Sequence, residues 1–277
     1  RIRRTLLVFQ FVCGFPIVVA AQQSSPVYSY VRSFENGKEL FQQKNYSSAR
    51  QVLKTFVQQK ESADLIQEAE YMIACTSYEL NEKDRITQLR NYLNRYPDSH
   101  YANRINSLIA SAYYFDRDYE AAVELFNKCN PEELSKEECQ DVTFRMAMAN
   151  MQKGDLVQAS TWFRTLQYTG TKYSSDCVYY LAYIDYTKKE YDTALKGSLS
   201  LKGDLVYGEL APTFIGEIYL KQGKYEDAAR EVQQCIDRYP QSKQVTQLQR
   251  ILGEACYYSA QYSKAIDAFN KYLASTE

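Results

Sequence analysis

Small and apolar positions along this chain recur every 34 to 37 residues, which is long enough for two helices and a turn. The stretch KQGKYEDAAREVQQCIDRYPQSK, residues 221–243, shows the unit. With Tyr225 as anchor, the same pattern returns at Tyr46, Tyr119, Leu156, Tyr191 and Tyr262. Three residues after each anchor stands an alanine: Ala49, Ala122, Ala159, Ala194, Ala228 and Ala265. Nine residues before it stands a glycine or alanine: Gly37, Ala110, Ala147, Ala182, Gly216 and Gly253. Seven after it come Leu53, Phe126, Phe163, Ser198, Val232 and Phe269, mostly large and apolar. The gap of 73 residues between Tyr46 and Tyr119 leaves room for one more, degenerate unit, with its anchor near Glu82 and its end at Pro97.

These spacings predict a helical hairpin. Two antiparallel helices approach to about 8–10 Å only where the crossing side chains are small. The residue at −9 on the first helix and the alanine at +3 on the second mark that crossing, and the +7 side chain fills the wedge beside it. The anchor tyrosine covers the turn, and Pro97 and Pro240 end second helices because proline cannot continue one. In the fifth unit, LKGSLSLKGDL places Gly197 and Ser198 in the second helix and predicts a kink or irregular stacking.

Those columns resemble the tetratricopeptide repeat family over about residues 30–277. The resemblance implies an all-α, right-handed superhelical solenoid of about seven antiparallel helix pairs. The chain departs from the family in the second unit, which lacks the alanine, and in having no consistent large aromatic early in the first helix. Tyr96-Pro97-Asp98-Ser99 and Tyr239-Pro240-Gln241-Ser242 look like endings of the periplasmic and outer-membrane-associated bacterial branch.

The N-terminus is a separate object. Arg1, Arg3 and Arg4 precede an apolar run from Leu6 to Ala21 that ends in small residues, so residues 1–21 read as a secretory signal and 22–29 as a short linker. A membrane anchor, a buried strand or a lipoprotein site at Cys13 are the other readings. The run of about 16 residues is short for a membrane span, and Gly14-Phe15-Pro16 interrupts it. An exported protein, periplasmic or outer-membrane associated, is the expectation, with membranes met only by association. At the other end, IDAFNKYLASTE leaves an apolar face uncovered, so further repeats or another domain are expected after Glu277.

Charge adds an exclusion. Without residues 1–21 the chain has 30 basic and 34 acidic side chains, a net −4, and no basic stripe for nucleic acid. Export would permit disulfides, and Cys129 and Cys139, which flank CNPEELSKEEC, form the candidate pair. The other four cysteines read as small buried residues. With His100 as the sole histidine, no Cys-x-x-Cys, no phosphate loop and no dinucleotide fingerprint, neither an enzyme, a metal site nor a cofactor is expected.

Binding remains. The resemblance implies that first helices line a concave groove. Positions −12, −8 and −5 share one face of such a helix. In the middle of the array that face carries Phe144, Met148, Met151, Tyr179, Tyr183 and Tyr186, with Tyr114 and Tyr257 at −5 in flanking units. Aromatics and methionine are what protein interfaces favour, although the −5 column also borders the core of each pair. The Lys and Asn clamp of the cytosolic chaperone-tail binders is missing. Two functions stay open: an envelope scaffold that binds a segment of a protein partner in its groove, and a carbohydrate or small-ligand binder of the outer membrane.

Overall fold

The computed structural model describes residues 26–60, 62–167 and 170–275. Residues 1–21, read above as an export signal, lie outside the described residues. Among those described, fourteen α-helices follow one another without a strand. They are α1 Pro26–Gln42, α2 Tyr46–Val57, α3 Ala63–Glu79, α4 Arg85–Arg95, α5 Ala102–Phe115, α6 Tyr119–Phe126, α7 Lys136–Gln152, α8 Leu156–Gln167, α9 Ser174–Thr187, α10 Tyr191–Ser200, α11 Ala211–Lys221, α12 Tyr225–Arg238, α13 Val245–Tyr258 and α14 Tyr262–Ala274. A single 3-10 turn, Pro131–Glu133, precedes α7. Helix α1 begins at Pro26 and takes in part of the expected linker, since a proline in the first turn forfeits only a donor that has no helical partner.

The chain divides into two compact units, one up to Thr76 and one from Ser77. In the first, α1 and α2 cross with Gly37 on Leu53, and Phe34 and Tyr30 lie against Phe56. Lys38 pairs with Glu68 at 2.9 Å. In the second, each helix from α5 onward packs on its neighbours in order, and first helices also touch directly, α5 on α7 and α11 on α13.

The crossing follows the spacing rule. All six residues at −9 and all six at +3 are buried. A Cβ on Gly37 would stand 2.6 Å from Leu53, one on Gly216 2.7 Å from Val232, and one on Gly253 2.6 Å from Phe269. In each case the clash is with the +7 side chain of the same hairpin. The six anchors, from Tyr46 to Tyr262, are each the first residue of a second helix.

One turn closes all seven hairpins. Two residues before each of the six anchors, and at Asn81 in the second hairpin, the backbone is left-handed: Lys44, Asn81, Arg117, Gly154, Lys189, Gly223 and Ala260. The next residue donates its N–H to the carbonyl five residues back, as in Asn45 to Leu40, Asp118 to Tyr113 and Gln261 to Cys256. This is the Schellman arrangement that satisfies the orphan carbonyls of a helix end. In the second hairpin Asn81 holds the left-handed place, but the buried +3 position, filled by Arg85, follows four residues later rather than five. That turn is one residue short, which is why the spacing faded there. Arg85 replaces the alanine and directs its guanidinium to Asp116 and to the Glu82 carbonyl.

The fifth hairpin differs from expectation in one respect. Helix α10 passes through Gly197 unbroken, and the Ser198 hydroxyl donates to the Ala194 carbonyl at 2.8 Å. The irregularity comes after it, in the turns of residues 201–210.

Candidate functional site

The helix period places the −12, −8 and −5 side chains on one side of each first helix, and packing then separates them. At −12, Phe144 stacks on Tyr173 with centroids 4.1 Å apart, and Tyr179 stacks on Tyr207 at 4.6 Å. Both partners stand eighteen residues before the next anchor. Their hydroxyls donate to acids on the preceding hairpin, Tyr173 to Asp141 at 2.9 Å and Tyr207 to Asp176 at 2.8 Å. Asp141 also holds Lys172 at 2.8 Å. Two of the expected groove residues therefore join successive hairpins.

At −5, each aromatic packs edge-on or tilted against its own anchor. Tyr114 meets Tyr119 at 6.0 Å, Tyr186 meets Tyr191 at 5.7 Å and Tyr257 meets Tyr262 at 5.9 Å. Burial pushes the phenol pKa of Tyr114 and of Tyr186 up. Met148 and Met151 are half-buried and lean on the core formed by Ala147, Phe163, Leu166 and Ile184. That leaves Tyr183, 42% exposed at −8 on α9, and Tyr257, 55% exposed on α13.

Tyr183 does not stand alone. Phe214 on α11 stacks with it at 6.4 Å and 23°, and meets Tyr186 at 5.0 Å and Tyr179 at 6.4 Å. Phe214 was not among the residues anticipated from the columns. It falls eleven residues before its anchor, one place off the −12 column, on a helix that follows the irregular turns. The result is an aromatic platform across α9 and α11 with Tyr183 outermost. On one side Arg145 covers the Phe115 ring at 5.1 Å and donates to the Ser111 hydroxyl at 3.1 Å. On the other, Arg250 sits between Glu217 and Glu254, a cluster of net charge −1.

The remaining candidates resolve simply. Cys129 and Cys139, the candidate pair, are not joined in this structure. The Cys129 thiol turns to its own helix end and donates to the Leu125 carbonyl at 3.2 Å, and burial pushes its pKa up to about 11. Cys75, Cys177, Cys235 and Cys256 are buried. His100 is exposed beside the Tyr101 ring. Among the described residues no group of three or more His, Cys, Asp or Glu could hold a metal ion, and no helix is long and apolar enough to cross a membrane. Trp162 is half-buried between the cores of the third and fourth hairpins.

Residues 215–277 match the family model described as Tetratricopeptide repeat. No curated protein matches the chain. Solved structures are similar in fold. The C-terminal part of a TPR repeat-containing protein from Cytophaga hutchinsonii is 14% identical, with a TM-score of 0.63 over 87% of this chain and 94% of that one. A tetratricopeptide repeat protein from Parabacteroides merdae is 15% identical, with a TM-score of 0.52 over 89% and 93%. MamA is 15% identical, with a TM-score of 0.53 over 64% and 92%.

Proposed function

We propose that this chain, a run of helical hairpins whose residues 215–277 match the tetratricopeptide repeat model, is a non-enzymatic interaction scaffold of the bacterial envelope, which holds a segment of a protein partner on the α9–α11 platform. One observation carries this reading: Tyr183 is open to solvent while its ring is supported by Phe214. A supported aromatic offers a large contact area at small entropic cost, the usual character of an interface anchor. The platform is aromatic and lies between Arg145, itself paired with Asp141 at 3.6 Å, and the acidic cluster around Arg250, which suits a segment with apolar side chains at its centre. The basic and apolar pattern of residues 1–21 supports placement in the envelope.

The test compares affinity capture from envelope extract by the unaltered chain and by the pair of changes Tyr183→Ser and Phe214→Ser. A protein species retained by the first and lost by the second is the expected result. Equal recovery by both would place the partner elsewhere. Retention of glycan by the unaltered chain and of no protein would favour the carbohydrate reading.

A further inference from the structure

A second candidate site lies on another face of α9, independent of the platform. Second helices α8 and α10 flank α9, and at +6 the fourth hairpin has Trp162 where the fifth has Gly197. Without a side chain at Gly197, a cleft of about 450 Å³ opens between the two second helices, floored by α9. That volume is in the range of small-molecule sites. A Cβ on Gly197 would point into its floor, 3.2 Å from Ala182.

The chemistry of the cleft is ordered by depth. Its floor has Val178, Leu181 and Ala182, with Asp185 among them. Asp185 is only 5% exposed, yet no donor among the described residues bonds its carboxylate. Its oxygens are not among the sealed, unbonded polar atoms of the structure, so they open to the cleft, where the donor that a carboxylate in such a place calls for can reach them. Arg164 and Lys196 stand on the walls, one from each flanking helix; both are exposed and neither forms an ion pair among the described residues, although Arg164 is near enough to act on Asp185 electrostatically. The floor is thus acidic and apolar and the walls basic.

We propose that this cleft binds a small zwitterion of the free amino-acid class, with its ammonium group on Asp185 and its carboxylate on Arg164 and Lys196. The apolar floor receives the aliphatic part of the ligand. A simple cation would be repelled by the two wall bases, and a simple anion would leave Asp185 without its donor. A zwitterion satisfies both ends.

Isothermal titration calorimetry on the whole chain tests this, with glycine, glutamate, lysine, leucine and phenylalanine as separate probes. At least one probe binds the unaltered protein. Asp185→Asn weakens it by at least about tenfold, the effect of losing one charge-assisted hydrogen bond. The N-acetyl form of the same probe, which has no ammonium group, fails to bind. Gly197→Leu, which fills the cleft, abolishes binding, and if it does not fold the isosteric Asp185→Asn decides alone. No heat from any probe, or equal affinity in Asp185→Asn, would overturn the proposal. Neither result bears on the platform.

Discussion

At the scale of single residues, glycine and alanine do opposite work at two places in one hairpin. Gly253 lies under the Phe269 ring, so Gly253→Ala overpacks the crossing and lowers stability by about 1–3 kcal/mol. Ala260 holds the left-handed place in the following turn at φ 59°, where a Cβ is strained. Ala260→Gly relieves that strain, loses part of the gain to a freer unfolded chain, and raises stability by roughly 0.5–1 kcal/mol. Urea denaturation midpoints of the two variants should move in opposite directions. Asp185 makes a third case. Burial chiefly, with Glu190 adding, pushes its carboxyl pKa above the ordinary value, against the opposing pull of Arg164 and Lys188. The folded protein then binds the proton more tightly than the unfolded chain, so this residue subtracts stability as pH rises through the window above about 3.9. Asp185→Asn should be the more stable protein at neutral pH, and the difference should vanish in acid. An unchanged difference across that window would contradict the assignment.

At the scale of elements, the crossing was legible and the face was not, for a physical reason. Positions −9, +3 and +7 meet inside one hairpin, where sterics admit few residue types, so spacing alone revealed them. Positions −12 and −5 stand between face and seam. Phe144 and Tyr179 are drawn into the seam by Tyr173 and Tyr207, which lie before the next helix in connections of variable length. Tyr173 and Tyr207 hold a place eighteen residues before the next anchor, and Phe214 one eleven before its own, and none of these places belongs to the −12, −8 and −5 face that helix periodicity singles out. The irregular turn of residues 201–210 owes its order to Asp204, which accepts from the Val206 and Tyr207 amides at 2.8 and 3.0 Å and from the Ser175 hydroxyl at 2.5 Å. Those bonds, the one from Ser175 foremost, hold its carboxyl below the usual range. Asp204→Ala should speed hydrogen exchange at Val206 and Tyr207 while the helix amides of α9 stay protected. In the unaltered protein the same two amides should lose protection only as the pH falls below the ordinary Asp range. Protection that survives the substitution would assign the turn to its backbone alone.

At the scale of the whole molecule, a left-handed turn closes each of the seven hairpins and six of them share one crossing, and each departure from the repeat has a local cause. The short second turn replaces alanine with Arg85 and its ion pair. The glycine at +6 of the fifth hairpin opens a cleft. The turns after α10 lead into α11, where Phe214 joins Tyr183. Two of these three departures lie on the fifth and sixth hairpins, beside the platform and the cleft, as expected where local consistency is given up for function. The central claim is that the α9–α11 platform is the contact surface. Photo-crosslinking in cells from residue 183 tests it, with the exposed Gln233 on α12 as control. Glu231 would be a poor control, since it is half-buried and bound to Lys202 at 2.8 Å. A discrete protein adduct from position 183 and none from position 233 is the predicted result. No adduct from position 183, or the same adduct from both positions, would contradict it.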